Sequence, residues 1–133
     1  MITTKYEDKY HTISIHESTG ATIITDSPID KNVKADSLSP TDLLTVAVTS
    51  CIFTISGQAA NTSGFSIDGA KASTKKIMSK TRPIRVEEII IDFDFSICKL
   101  DKKAQTIIKN ITKSCPVVQS LHADIKKNIS FIF

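Results

Sequence analysis

Along the first part of the chain, apolar β-branched positions alternate with polar ones in two short runs, Thr12 to His16 and Ala21 to Thr25, separated by Ser18-Thr19-Gly20. A period of two with a glycine turn between the runs predicts a β-hairpin. A polar connector over residues 26–37 follows. Ser39-Pro40-Thr41-Asp42 then reads as N-cap, N1, N2 and N3 of a helix, with Asp42 in the place of a capping-box acid. From Leu43 to about Gln58 the chain is apolar on nearly every side, relieved only by small hydroxyls, which predicts a buried central helix. Its Thr, Val and Ile content would also suit a strand, and its length decides for helix.

Gly64 to Gly69 marks a turn region, and two extended segments follow, Ala70 to Ser79 and Ile84 to Ile97. Val86, Ile89, Ile91, Phe93 and Phe95 make the second a strand, joined to the first by Thr81-Arg82-Pro83 in a second hairpin. From Asp101 the period changes. Ala104, Ile107, Ile108 and Ile111 fall at i, i+3, i+4 and i+7, the stripe of an amphipathic helix, which Cys115 extends by one turn. Cys115-Pro116 breaks that helix or restarts it with proline at N1, a short helix runs to about Leu121, and Asn128 to Phe133 closes the chain as a strand. With no repeat and no linker composition, residues 1–133 predict a single α+β domain with helices inserted between hairpins.

Composition narrows the function classes. A net charge of +3, from 17 basic and 14 acidic residues, is too small for a nucleic-acid footprint. The longest apolar stretch, Leu43 to Ile55, is broken by Thr45, Thr49, Ser50 and Thr54 and falls short of the ~20 residues of a membrane span. The N-terminus MITTKYEDKYH has no apolar region of a secretion signal, so a cytoplasmic location is expected. Three cysteines without a C-x-x-C fit a reducing compartment.

No phosphate loop, H-E-x-x-H, G-x-S-x-G or zinc-spaced cysteine pair occurs, and no metal or organic cofactor is expected. His11, His16 and His122 lie in separate segments and read as surface or half-buried residues; on one helix His122 would stand about 10 Å from Cys115. Cys51, about three turns into the apolar helix, reads by itself as an inert core thiol. Cys115 can occupy the N-cap of the last short helix near Lys113, which favours a thiolate and leaves its role open. Cys98 ends a strand and reads as structural. Asp42 precedes Cys51 by nine residues, about 13 Å along a helix and on its opposite face, so it cannot orient Cys51 within that helix. It completes the Ser39 cap, or acts across a subunit interface. Lys75, Lys76, Lys80, Arg82 and Arg85 read as solvated hairpin charges.

Taken together, Ser39-Pro40-x-Asp42-Leu43-Leu44 with Ala47-x-x-x-Cys51, and Cys115-Pro116-Val117 with Ser120-Leu121, resemble the two motifs of the OsmC/Ohr family of thiol-dependent organic hydroperoxide reductases. Pro83-x-x-Val86-x-x-Ile89-x-x-x-Phe93 is similar to that family's long strand, and the order of elements matches over nearly the whole chain. The resemblance implies an OsmC-like α+β fold, antiparallel sheets around a buried central helix, in an intertwined homodimer with active sites at the interface. It implies Cys51 as peroxidatic nucleophile, Cys115 as resolving thiol and Asp42 as a possible orienting acid. Substrate would be an organic hydroperoxide, lined by Leu44, Val48, Ile52, Ile55, Ile107 and Ile111, and an external thiol or dithiol would be the reductant. Two departures stand out. The family supplies an arginine from its N-terminal segment, whereas residues 1–81 here hold none, leaving Lys31, Lys34, Arg82 and Arg85 as candidate cations. The family's glutamate is replaced by Asp42, or falls where this chain has Thr41. The rival reading is a non-catalytic relative that binds a small apolar molecule or senses oxidation.

Overall fold

The structure is a computed structural model that describes residues 1–27 and 37–133. The chain divides into two compact units, Met1–Leu44 and Thr45–Phe133.

In the first unit, β1 (Ile2–Tyr6), β2 (His11–His16) and β3 (Thr22–Asp26) form an antiparallel sheet in that order. The expected hairpin is β2–β3, turned at Gly20 with φ 72°. Strand β1 is an addition to the expectation: Ile2, Thr4 and Tyr6 alternate with Thr3 and Lys5, enough β-forming residues to pair once β2 offers an edge. Lys9 and Tyr10, both at positive φ, turn β1 into β2, the geometry that matches strand twist. His11 donates to Asp26 across β2–β3, and Ser37 donates to the other Asp26 oxygen at 2.8 Å.

In the second unit, β4 (Lys71–Met78), β5 (Val86–Asp94) and β6 (Lys126–Ile132) form a sheet with β5 central. The predicted hairpin is β4–β5. One ladder departs from the antiparallel expectation: β6 runs parallel to β5, because the chain between them crosses over through two helices and cannot return as a tight hairpin. Those helices are α2 (Lys102–Ile111) and α3 (Pro116–Ser120), with short 3-10 turns at Ser96–Cys98 and Thr112–Ser114.

On β5, Ile89, Ile91 and Phe93 are buried, as is Phe95 just after it, while Glu87, Asp92 and Asp94 are exposed, the alternation of a sheet covered on one face. Phe93 stacks on Phe131 of β6 at 5.6 Å and on Phe95 at 6.0 Å, and Phe53 meets Phe93 edge-on at 4.9 Å. Lys109 of α2 lies over the Phe133 ring at 5.4 Å. Phe53 and Lys109 therefore lie against the aromatic cluster. In α2, Ala104 and Ile108 of the expected stripe are fully packed and Ile107 and Ile111 half-buried.

Helix α1 (Pro40–Ser63) runs 24 residues, five beyond the expected end. It is not buried all round. Its packed residues are Thr45, Val48, Ile52, Ser56 and Ala60, one stripe at i+3 and i+4 spacing, while Val46 is 43% exposed. Over 18 of its residues α1 has a mean hydropathy of 1.6, so it has the length and apolar character of a membrane span, longer than the sequence run suggested. The stripe held by protein is that of a core helix.

Candidate active site

The cap of α1 is built as the sequence implies. Ser39 donates from its backbone N–H and its hydroxyl to the Asp42 carboxylate at 2.9 and 2.7 Å, and Asp42 N–H returns a bond to Ser39 Oγ at 3.2 Å. This reciprocal box satisfies first-turn donors that helix geometry leaves open. Ser39→Ala is expected to cost about 1 kcal/mol and to lower the urea midpoint accordingly. Asp42 bonds within this cap, nine residues from Cys51 along α1.

Cys51 lies on the half-buried side of α1, next to the packed Ile52. Cys115 is completely buried. It is the N-cap residue of α3, placed there because Pro116 has no N–H to lose and starts a helix at N1. Sixty-odd residues of chain separate the two thiols in sequence, yet Cys51 lies near enough to the Cys115 thiol to shift its proton affinity, and both are free cysteines.

Burial pushes the Cys115 thiol up, and hydrogen bonding to Cys51 and its charge push the same way. The N–H groups of Val118 and Val117 face the sulfur and pull it down, without closing a cap hydrogen bond. Burial therefore outweighs the helix terminus, opposite to the thiolate character that the N-cap position suggested. Cys98 is also raised, by desolvation first and then by Asp68 and Asp94, and its thiol donates to the Asp68 carbonyl at 3.7 Å.

Both shifts have one sign. The folded state holds these two protons more tightly than the unfolded chain, whose thiols titrate near 9.0, so their contribution to stability is complete below that pH and is lost as pH rises through the higher folded values. Urea midpoints should fall from about pH 8 to about pH 10, and fall less when both cysteines are replaced by alanine. Equal declines would contradict the assignment.

Of the candidate cations, Arg85 pairs with Asp124 at 3.5 Å, and Asp124 also lies 3.7 Å from His122. Arg82 is exposed, and Lys31 and Lys34 lie outside the described residues. Of the expected lining, Val48 and Ile52 are packed into the core with no exposed surface, and Ile107 faces a different cavity, beside Cys98. Among the described residues no group of three or more His, Cys, Asp or Glu could hold a metal.

Residues 33–130 match the family model described as OsmC-like protein. The chain belongs to the OsmC-like family. A candidate osmotic stress induced and detoxification response protein from Psychrobacter arcticus 273-4 is 36% identical, with a TM-score of 0.91 over 98% of this chain and 94% of that one. Two OsmC-like relatives at lower identity share the fold: an organic hydroperoxide resistance protein OsmC from Legionella pneumophila, 11% identical, with a TM-score of 0.73 over 100% and 97% of the chains; and the organic hydroperoxide resistance protein OhrB of Bacillus subtilis, 12% identical, at 0.69 over 99% and 96%. No curated protein sequence matches the chain. This OsmC-like chain thus has the family's α+β fold, with Cys51 close enough to Cys115 to raise its pKa.

Proposed function

We propose that this OsmC-like protein reduces organic hydroperoxides by a two-cysteine cycle. The observation that carries the reading is the buried Cys115 thiol meeting Cys51. Two of the structural relatives are named for organic hydroperoxide resistance, which supports the substrate class.

The Cys51 thiolate attacks the peroxide O–O bond; an S–O bond forms, the O–O bond breaks, and the alkoxide takes up a proton and leaves as alcohol. Cys51 is then a sulfenic acid. The Cys115 thiolate attacks that sulfur, forming the disulfide and releasing water. An external thiol or dithiol reduces the disulfide by two exchange steps and is itself oxidised. No metal or organic cofactor is needed for any step. A Cys115 thiol that keeps its proton can donate a hydrogen bond to the Cys51 thiolate before attack, and it must lose that proton before resolution. Since burial is the main cause of its raised pKa, and burial persists when Cys51 is oxidised, resolution should speed up about tenfold per pH unit between about pH 7 and pH 9. A pH-independent disulfide-forming step in rapid-mixing fluorescence would contradict this.

The protein acts as a homodimer in this reading, in a reducing compartment such as the cytoplasm. Val46 of α1 is exposed, as are Ile2, Ile15 and Ile23 of the first sheet, apolar side chains that a second copy would cover. Asp42, facing away from the Cys51 of its own helix, would orient a thiol only from a partner subunit.

The test is peroxide consumption with dithiothreitol as electron source. Cumene hydroperoxide should be consumed at least ~10-fold faster than hydrogen peroxide, and size-exclusion with light scattering should give a dimer. No consumption above that of a free thiol would overturn the reductase reading in favour of a non-catalytic binding protein.

A further inference from the structure

Away from the Cys51–Cys115 pair, the second unit holds a cavity of about 260 Å³ between the turn that follows α1 and the start of α2. Its walls differ in character. Phe65, Leu100 and Ile107 supply an apolar floor, and Leu100 is almost fully buried. Lys99 and Lys103 stand at the rim, both exposed. Asp101 is the acid among the lining residues; its Oδ1 accepts the Ala104 N–H at 2.8 Å, so its charge is turned onto the first turn of α2. Among the lining residues two lysines face one acid; Asp68 and Asp94, which act on Cys98, are not part of the lining. The two leading N–H groups of α2, which the Asp101 cap does not take, add a further positive pole at the same end.

We propose that this cavity binds a small amphipathic carboxylate, with its carboxylate between Lys99 and Lys103 and a short alkyl or aryl body against Phe65, Leu100 and Ile107. The volume is below the usual range of ~300–1,000 Å³ for drug-sized pockets, which limits the occupant to roughly ten heavy atoms. A bare phosphate would leave the apolar floor wet, and an uncharged amide would leave the lysines without a counter-ion. The proposal is independent of the peroxide chemistry, because Cys98, the thiol in this wall, is not a member of the Cys51–Cys115 pair.

Cys98 supplies the readout. In the reduced full-length protein, the rate at which iodoacetamide alkylates Cys98 is followed by mass spectrometry while octanoate is titrated. Octanoate should slow Cys98 alkylation at least ~5-fold, with saturation in the millimolar range. Octanamide and inorganic phosphate should slow it less than ~2-fold at the same concentrations. In the double variant Lys99→Ala, Lys103→Ala, octanoate should leave Cys98 alkylation within ~2-fold of that variant's own unprotected rate. No protection, equal protection by octanamide or phosphate, or protection that survives in the double variant would each overturn the proposal. Loss of hydroperoxide reduction in some other variant would leave this result unchanged, so the two readings fail separately.

Discussion

Replacing Cys51 by serine will lower the reduction of organic hydroperoxide by at least about a thousandfold, because a hydroxyl at ordinary pKa does not attack an O–O bond as a thiolate does. Cys115→Ser separates the two roles. It removes the buried thiol that meets Cys51 and so blocks disulfide formation, while leaving the first attack available. One equivalent of peroxide should then be consumed per site, with a Cys51 sulfenic acid that dimedone traps, followed by arrest of turnover. If Cys51→Ser retained activity and Cys98→Ser lost it, the nucleophile would have been assigned to the wrong thiol.

The largest effect on stability is expected at Phe93. Its ring is fully buried, stacks on Phe131 and Phe95, and receives the edge of Phe53 from α1. Phe93→Ala therefore opens a cavity where helix meets sheet. The change should cost about 3–5 kcal/mol, with each lost ring pair contributing about 0.5–1.5 kcal/mol beyond area burial. Urea denaturation would show a lower midpoint, whereas Lys75→Ala on the exposed side of β4 should stay within about 0.5 kcal/mol of wild type. A Phe93→Ala loss below 1 kcal/mol would mean that the ring cluster is not the centre of this unit's core.

How far the sequence carries depends on which signal each element sends. Strand β5 announces itself, since Ile91 and Phe93 alternate with Asp92 and Asp94, and α2 does so through its stripe at Ala104 and Ile108. Strand β1 does not, because residues 2–6 hold only one aliphatic side chain, Ile2, and pair through a backbone edge that β2 provides. The parallel pairing of β6 is equally silent: period-two alternation fixes which residues face inward, and the direction of pairing is set by the length of the crossover. In α1 the all-round apolar pattern overstates burial, since a single chain packs one stripe only.

The site was legible in part. Ser39 and Asp42 encode their cap directly, through spacing within one turn. The meeting of Cys51 with Cys115 follows from no periodicity; it came from the resemblance of two separated motifs to one family. The thiolate character read from the N-cap position of Cys115 fails because exposure is invisible in sequence, and burial dominates. The ion pair of Arg85 with Asp124 joins residues far apart in sequence, so neither could be matched beforehand. The cavity beside Cys98 is likewise assembled from separated segments, and an isolated cysteine at a strand end gives no sign of it.

The most direct measurement is a peptide map of the fully reduced protein, mixed with one equivalent of cumene hydroperoxide and quenched with acid within seconds. A Cys51 to Cys115 disulfide is the expected product, absent when Cys51→Ser is treated in the same way, with Cys98 still a thiol. Oxidation no faster than that of a free thiol, or a disulfide that includes Cys98 in place of Cys115, would contradict it.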